Sequence, residues 1–363
     1  MKLAEHVIRQ IHDTGPISFH DFMEACLYHP EMGYYTSSPE IIGKNGDFYT
    51  SATLTPVFGA IVAKQLEEMW AYMGSTAFTI VEYGAGTGDL CRSILDHLKN
   101  NERMYKELRY CIIEKSPVMC NQEAKHLTEK VEWYNSIQEI KEINGCVLSN
   151  ELVDNFAIHR VVMQDELMEV FVDHQNGFSE TLYPASAKLR NYFSELNVDL
   201  PRGYCAEINL QALDWMAEIA SALKSGYVLT IDYGCQNSEL YKASKSQGTL
   251  LCYHKHAVND SPYDHIGEQD MTCHINFSAL AHWGAKNGLE SCGLTNQGYF
   301  LMSLGFREQL IKSFVNERDI SKAASQVAAI SNTLLLDMGS KYKVLIQQKG
   351  IQAEKLSGLA YCI

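Results

Sequence analysis

The chain has 363 residues, 46% hydrophobic and 20% charged, an ordinary globular composition with enough length for a sizeable core. A formal net charge of −14 repels a phosphate backbone over much of the surface, which speaks against nucleic acid as a partner and leaves a basic protein surface as the better one. No stretch approaches the uninterrupted apolar length that crosses a bilayer, so no membrane insertion is expected. Eleven cysteines scattered without a C-x-x-C pair read as reduced thiols. The segment MKLAEHVIRQI has neither the order of a secretory leader nor the composition of a transit peptide, so a cytoplasmic location is expected.

In chain order, Leu3, Val7, Ile8 and Ile11 mark a helix that breaks at Gly15-Pro16, and Ser18 caps a second helix through Leu27. Residues 28–55 are too irregular for helix or strand. Their aromatics surround Asp47 in Gly46-Asp47-Phe48-Tyr49-Thr50, which reads either as a lid over a site or as an Asn-Gly turn whose aspartate bonds its own backbone. Thr55-Pro56 starts a third helix, with Val57, Ile61, Val62, Leu66, Met69 and Trp70 inward and Gly74 ending it. Segments 77–83, 109–114, 130–134, 145–149 and 227–233 then read as parallel strands alternating with helices.

Between 156 and 206 the pattern changes to two-residue alternation, as in Val161, Met163, Leu167, Glu169 and Phe171, predicting an antiparallel insertion. A helix follows from about Glu207 to Leu223 with Gly226 as its stop. Near the end, Ala323, Val327, Ile330, Leu334 and Met338 share one helical face before a strand at Lys343–Gln347. The whole predicts an α/β fold built on a doubly wound, mostly parallel sheet. A helical N-terminal region would cover 1–74, and a core over 75–363 would carry insertions at about 156–206 and 236–285.

The most informative stretch is AFTIVEYGAGTGDL at 77–90. A strand ends on Glu82 and turns through Gly84, Ala85, Gly86 and Gly88 into a helix with Leu90, Ile94, Leu95 and Leu98 inward. Glycines at alternate positions let backbone approach a ligand where a Cβ would collide. A dinucleotide fingerprint needs a small residue where Asp89 stands, and that carboxylate would face a pyrophosphate. S-adenosylmethionine has no phosphate and carries an ammonium and a sulfonium, which suits acids at Glu82 and Asp89. An NAD-dependent oxidoreductase is the less expected reading. The next strand ends on Glu114, placed to accept both ribose hydroxyls, and Asn135 and Ser136 after the third strand would neighbour the adenine.

The strand at 145–149 leads into Asn150, Glu151 and Asp154, an N-E-x-x-D cluster able to grip a guanidinium through paired hydrogen bonds. The alternative is that Glu151 and Asp154 cap the next helix. His254, His256, His265 and His274, with Asp264, Asp270 and Cys273, lack the paired spacing of a metal site, so no metal is expected; Asp270 and His274 could line the acceptor cleft.

The chain resembles the MidA-like methyltransferases nearly end to end. The resemblance is carried by His29-Pro30-Glu31-x-Gly33-Tyr34-Tyr35, Gly46-Asp47-Phe48-x-Thr50, Phe58-Gly59, the glycine turn, Ser116-Pro117, Asn150-Glu151, Ile231-Asp232-Tyr233-Gly234, Thr295-x-Gln297-Gly298 and Met338-Gly339. It implies a class I, Rossmann-like S-adenosylmethionine-dependent fold, with Gly84, Gly86 and Gly88 as the cofactor turn, Glu114 as the ribose acid, and Asn150 and Glu151 on the acceptor face. For the mitochondrial member of the family it implies dimethylation of an arginine in a respiratory complex I subunit, hence a protein substrate here. Ala85 and Thr87 depart from the family's usual proline and arginine or asparagine, and Leu152-Val153-Asp154-Asn155-Phe156-Ala157 departs from its usual Phe-x-Asp-Ala-Leu-Pro. A noncatalytic, cofactor-binding assembly factor is the alternative function. The sequence leaves the oligomeric state open.

Overall fold

A computed structural model describes residues 2–37, 49–127, 129–255, 257–352 and 354–363, so Asp47 and His256 lie outside the described residues. The chain gathers into two compact units, one of residues 49–152, 216–233 and 283–363, the other of 1–48, 153–215 and 234–282.

The first unit is organised by seven strands of what is, among the described residues, an eight-stranded sheet: β1 (Phe78–Tyr83), β2 (Leu108–Ile113), β3 (Val131–Tyr134), β4 (Ile143–Asn150), β5 (Leu223–Cys235), β6 (Glu290–Asn296) and β7 (Tyr342–Lys349). The order is β3-β2-β1-β4-β5-β7-β6, with β7 antiparallel to both neighbours and the other sheet pairings parallel. Sheets covered on both faces have nearly continuous apolar strands; accordingly Ile80, Val81, Ile112, Val147, Leu148, Leu229 and Ile231 are buried. On one face, Phe58, Ile61, Leu66 and Met69 of helix Pro56–Tyr72 share a core with Ile94 and Leu98 of helix Asp89–Leu98. Thr55 Oγ1 caps the first of these by accepting the Val57 N–H at 3.3 Å. Strand order reverses between β1 and β4, and ligands of such sheets bind beyond the carboxyl ends of the strands at that point.

Several expected boundaries move. Helix Leu210–Ala222 starts three residues later than expected because Cys205–Ile208 is a strand. Gly226 does not stop that helix; it lies inside β5. A Cβ there would fall 2.0 Å from the Gly145 carbonyl oxygen, and one on Gly145 would fall 2.1 Å from the Thr79 carbonyl oxygen. Two glycines therefore let β1, β4 and β5 come together. Residues 28–55 contain short helices at Tyr34–Ser37 and Ser51–Leu54, the latter held by a reciprocal Thr50–Thr53 capping box. Helix Ile320–Ser331 continues through a π-helical turn, Asn332–Asp337, into Met338–Lys341. Strand β6, absent from the expectation, shifts register between Ser291 and Gly293, which breaks its alternation.

The second unit holds the antiparallel insertion. Strands Ile17–Ser18, Leu167–His174, His159–Met163 and Cys205–Ile208 pair in that order, and Phe178–Pro184 pairs with Leu167–His174. Helices Leu3–Thr14 and Phe19–Tyr28 bury Val7, Phe19, Phe22, Met23 and Leu27 with Ile158, Val172 and Met271. Ser18 Oγ caps the second helix by accepting the Asp21 N–H at 3.1 Å. Among the described residues no helix is long and apolar enough to cross a membrane.

Placing a methyl group between β4 and β5 should force the strands apart. Gly226→Ala is expected to lower stability by about 2–3 kcal/mol, measured as the urea midpoint at constant m-value; a midpoint equal to that of the parent chain would show that the two strands do not approach this closely.

Candidate active site

Beyond β1 the chain turns at Gly84, Gly86 and Gly88 with φ of +61°, +60° and +76°, a region costly for any residue with a Cβ. A Cβ on Gly84 would lie 2.7 Å from Leu152 Cδ1, and one on Gly88 would lie 3.1 Å from Leu127 Cδ1. The Gly84 N–H donates to the Ile113 carbonyl at 3.0 Å, and the Gly88 N–H to that of Ala85 at 2.9 Å. The turn is thus tied to the end of β2 and leads into helix Asp89–Leu98, whose N-cap Gly88 supplies no side-chain acceptor. Asp89 accepts from Thr87 Oγ1 at 2.7 Å and pairs with Arg92.

Glu82 lies beneath this turn, 2% exposed, accepting the Tyr110 hydroxyl at 2.6 Å. Burial pushes its carboxyl up to about 7 against the opposing hydrogen bond. Glu123, which sequence reasoning missed, is fully buried at the end of helix Pro117–Glu123. Its Oε2 accepts the Trp133 indole N–H at 2.7 Å, Oε1 has no partner, and burial pushes the group up to about 8. An acid four residues from Met119 and four from Leu127, on an apolar helical face, was the signal available.

Glu114 follows β2. Its Oε1 accepts the Ser116 N–H at 2.7 Å, and burial raises its carboxyl above the ordinary range while the Ser116 and Lys115 N–H groups oppose this. Ser136 follows β3 and caps the turn Ile137–Glu139 through an Oγ that accepts the Gln138 N–H at 3.2 Å. Adjacent parallel strands place both residues at one sheet edge.

At the end of β4, Glu151 takes φ of +53° while its N–H donates to the Ile231 carbonyl at 2.9 Å. Its Oε1 accepts the Ser51 N–H at 2.7 Å and Asn150 Nδ2 at 3.2 Å, and its Oε2 accepts the Tyr342 hydroxyl at 3.1 Å. Burial pushes this carboxyl up to about 6, with those donors pulling it down. Ser51 in turn donates its hydroxyl to Gln297 Oε1 at 3.3 Å. One carboxylate therefore joins β4, the Ser51–Leu54 helix and β7, and fixes the Asn150 amide. Asn150 Oδ1 is buried without a protein partner.

The structure brings Asn150 and Glu151 together, whereas Asp154 belongs to the other unit. There it sits in the turn Val153–Asn155, 6% exposed, its carbonyl accepting the Cys273 N–H at 3.2 Å. In that unit also, Asp270 Oδ1 accepts the Tyr35 hydroxyl at 2.9 Å, and His254 stacks on His265 at 4.1 Å. Among the described residues no group of three or more His, Cys, Asp or Glu side chains is arranged to hold a metal ion.

Residues 61–295 match the family described as "Putative S-adenosyl-L-methionine-dependent methyltransferase". The chain belongs to this family. Among solved structures it is similar to a Burkholderia thailandensis protein bound to S-adenosyl-homocysteine, at 28% identity and a TM-score of 0.89, over 99% of this chain and 95% of that one. A native crystal structure from the same organism and superfamily aligns at 26% identity and a TM-score of 0.87, over 99% and 94%. Curated relatives include the Drosophila melanogaster mitochondrial protein arginine methyltransferase NDUFAF7 homolog, 25% identical over 98% of this chain and 86% of its own length. The Bos taurus mitochondrial protein arginine methyltransferase NDUFAF7 is 26% identical over 94% and 82%.

These relatives overturn the cytoplasmic expectation, since they are mitochondrial proteins. Reduced cysteines report a reducing environment and cannot distinguish one such compartment from another. The fold is that of the class I methyltransferases, and S-adenosyl-L-methionine is the family's cofactor. The residues present fit it: a glycine turn with left-handed backbone at all three glycines, a carboxylate after β2 and a buried unpartnered acceptor at the end of β4. Nothing in this family supports the nicotinamide reading.

Glu123 should make stability depend on pH. Its folded pKa lies above the unfolded value, so the folded chain binds the extra proton between about 4.5 and 8 and loses stability as pH rises through that window. Glu123→Gln is expected to flatten the fall between pH 5 and 9 by at least about 1.4 kcal/mol, the worth of one pKa unit, in urea midpoints taken across the range. An identical slope in both proteins would place the proton elsewhere.

Proposed function

We propose that this protein transfers the methyl group of S-adenosyl-L-methionine to an arginine side chain of a protein. The observation that carries the reading is Asn150 Oδ1: a buried acceptor, held in place through its own amide nitrogen, at the carboxyl end of β4 beside the point where strand order reverses. Relatives named as protein arginine methyltransferases support the acceptor type, and the net charge of −14 favours a basic partner surface.

When bound, the cofactor would supply an electrophilic methyl group on a sulfonium, open to in-line attack by a guanidine nitrogen that gives up a proton, with the neutral thioether as the leaving group. The chain's part is mainly to hold the reactants in line and keep water out. In this reading Glu82, Gly84, Ala85, Gly86 and Gly88 form the cradle, Glu114 accepts the ribose hydroxyls and Ser136 borders the adenine. Asn150 Oδ1 accepts an N–H of the guanidinium and sets its rotation. Glu151, pushed up only to about 6, is ionised at neutral pH and keeps negative charge beside a cationic acceptor. The family resemblance points to a respiratory complex I type subunit as the partner.

A second reading, a cofactor-binding assembly factor without transfer activity, is favoured by one observation. Both Glu151 oxygens are already engaged by Ser51, Asn150 and Tyr342, so this carboxylate braces the site without reaching outward.

Transfer of a labelled methyl group into a mitochondrial lysate, followed by mapping of the labelled residue, separates the two. Label on arginine is expected, and Asn150→Ala should slow transfer about 100-fold while cofactor affinity stays within about threefold. Tight cofactor binding with no transfer by the parent protein would favour the assembly factor. Independently, Glu114→Ala should weaken cofactor binding about 10- to 100-fold in a calorimetric titration, the worth of hydrogen bonds to a charged group; an unchanged Kd would remove the ribose contact.

A further inference from the structure

The unit built from residues 153–215 and 234–282 holds a cluster that methyl transfer does not use. Lys245 Nζ donates to Cys235 Sγ at 3.0 Å and contacts His274 Nδ1 at 3.3 Å, and Cys235 Sγ lies 3.8 Å from the same ring nitrogen. Cys235 ends β5, Lys245 closes the turn Ala243–Lys245, and His274 lies between strands Asp270–Thr272 and Ile275–Asn276.

The surroundings fix these groups. Gly234 and Cys235 pair in parallel with Ile275 and Asn276, so Cys235 and His274 sit on paired backbone. The His274 N–H donates to Thr249 Oγ1 at 3.1 Å, and that hydroxyl donates to Glu207 Oε2 at 3.0 Å. The sulfur is nearly buried, with Cys235 5% exposed. Lys245 is half-buried and borders a small surface cleft with Tyr204, Glu207, Tyr241 and Thr249, so the lysine side of the cluster adjoins solvent.

A nitrogen held in contact with a thiol sulfur, with an imidazole touching both, is arranged for a reaction between them, because reacting atoms at about 3–3.5 Å need little further ordering. We propose that Cys235 and Lys245 form a sulfur–nitrogen bridge when the protein meets hydrogen peroxide. In the first step peroxide transfers one oxygen to Sγ and leaves as water. The sulfur is oxidised by two electrons to a sulfenic acid and the peroxide O–O bond is reduced. A sulfenic acid condenses with a nearby nitrogen. The Lys245 amine, passing a proton to His274 Nδ1, attacks sulfur; the S–N bond forms as the S–O bond breaks, and hydroxide takes that proton and departs as a second water. The sum is thiol plus amine plus one peroxide giving the sulfenamide and two waters. One thiol reductant attacking the sulfur frees the amine and leaves a mixed disulfide on Cys235, and a second thiol (or the second thiol of dithiothreitol) displaces it, restoring both side chains as the reductant is oxidised to its disulfide. The bridge would staple the end of β5 to the turn at 243–245 and protect the sulfur from irreversible oxidation.

The test is a peptide map of the full chain after brief treatment with equimolar hydrogen peroxide. A cross-linked pair of peptides containing Cys235 and Lys245, lighter than their sum by two hydrogens and separated by dithiothreitol, is the expected result. Lys245→Arg keeps the positive charge without an amine that condenses, so its Cys235 should stop at the sulfenic acid and be labelled by dimedone, at least about tenfold more than in the parent. Cys235 left unoxidised, labelled equally in parent and variant, or oxidised to sulfinic acid without cross-link would each overturn the proposal. Should the arginine variant fail to fold, as judged by circular dichroism, the parent's peptide map decides alone.

Discussion

The candidate site depends on one backbone constraint: where the chain leaves β1 it must bend through a left-handed backbone at three glycines, two of which also pack closely against leucine side chains. A Cβ on Gly84 would crowd Leu152, and one on Gly88 would press on Leu127. Without Cβ atoms the backbone of the turn can come up to a ligand while its outer side stays packed. The same device recurs deeper in the sheet, where Gly145 and Gly226 allow β1, β4 and β5 to meet. Those strands carry the residues at issue, so the spacing of the sheet and the shape of its edge have a common cause.

Electrostatics at that edge differ from a simple count of acids. Glu82, Glu123 and Glu151 are all pushed upward by burial, to about 7, 8 and 6. Near neutral pH Glu123 is mostly protonated and Glu82 is divided between two states, while Glu151 keeps its charge with the help of three donors. Of these three carboxyls, the one that keeps its charge stands at the end of β4, on the side proposed to meet the acceptor. A charge of −14 spread over the chain says little about this distribution.

The glycine string, the strands before and after it and the places of Glu114, Asn150 and Glu151 at strand ends were legible because each is a local pattern: alternate glycines, apolar runs ending on a polar residue, and a fixed place in the strand order. What escaped was set by distant contacts. Gly226 looked like a helix stop because the neighbour that needs its missing Cβ is Gly145, far away in sequence. Glu123 carried no motif, and its environment comes from Trp133 and burial. The engagement of Glu151 by Ser51 and Tyr342 spans 100 and 191 positions, beyond any local pattern. The grouping of Asp154 with residues unlike those of Asn150 was equally hidden, since only three positions separate Glu151 from it. Compartment was misjudged for a different reason: the expectation rested on the composition of the short segment MKLAEHVIRQI, which does not fix a location, and reduced thiols are common to more than one compartment.

The most direct measurement is a crystal structure of this chain grown with S-adenosyl-homocysteine. The amino-acid end of the ligand is expected over Gly84–Gly88, with both ribose hydroxyls on the Glu114 carboxylate and Asn150 Oδ1 facing the sulfur side of the pocket. A ligand held elsewhere, or a turn closed over by its own leucines while the ligand stays in solvent, would contradict the glycine cradle and the proposals built on it.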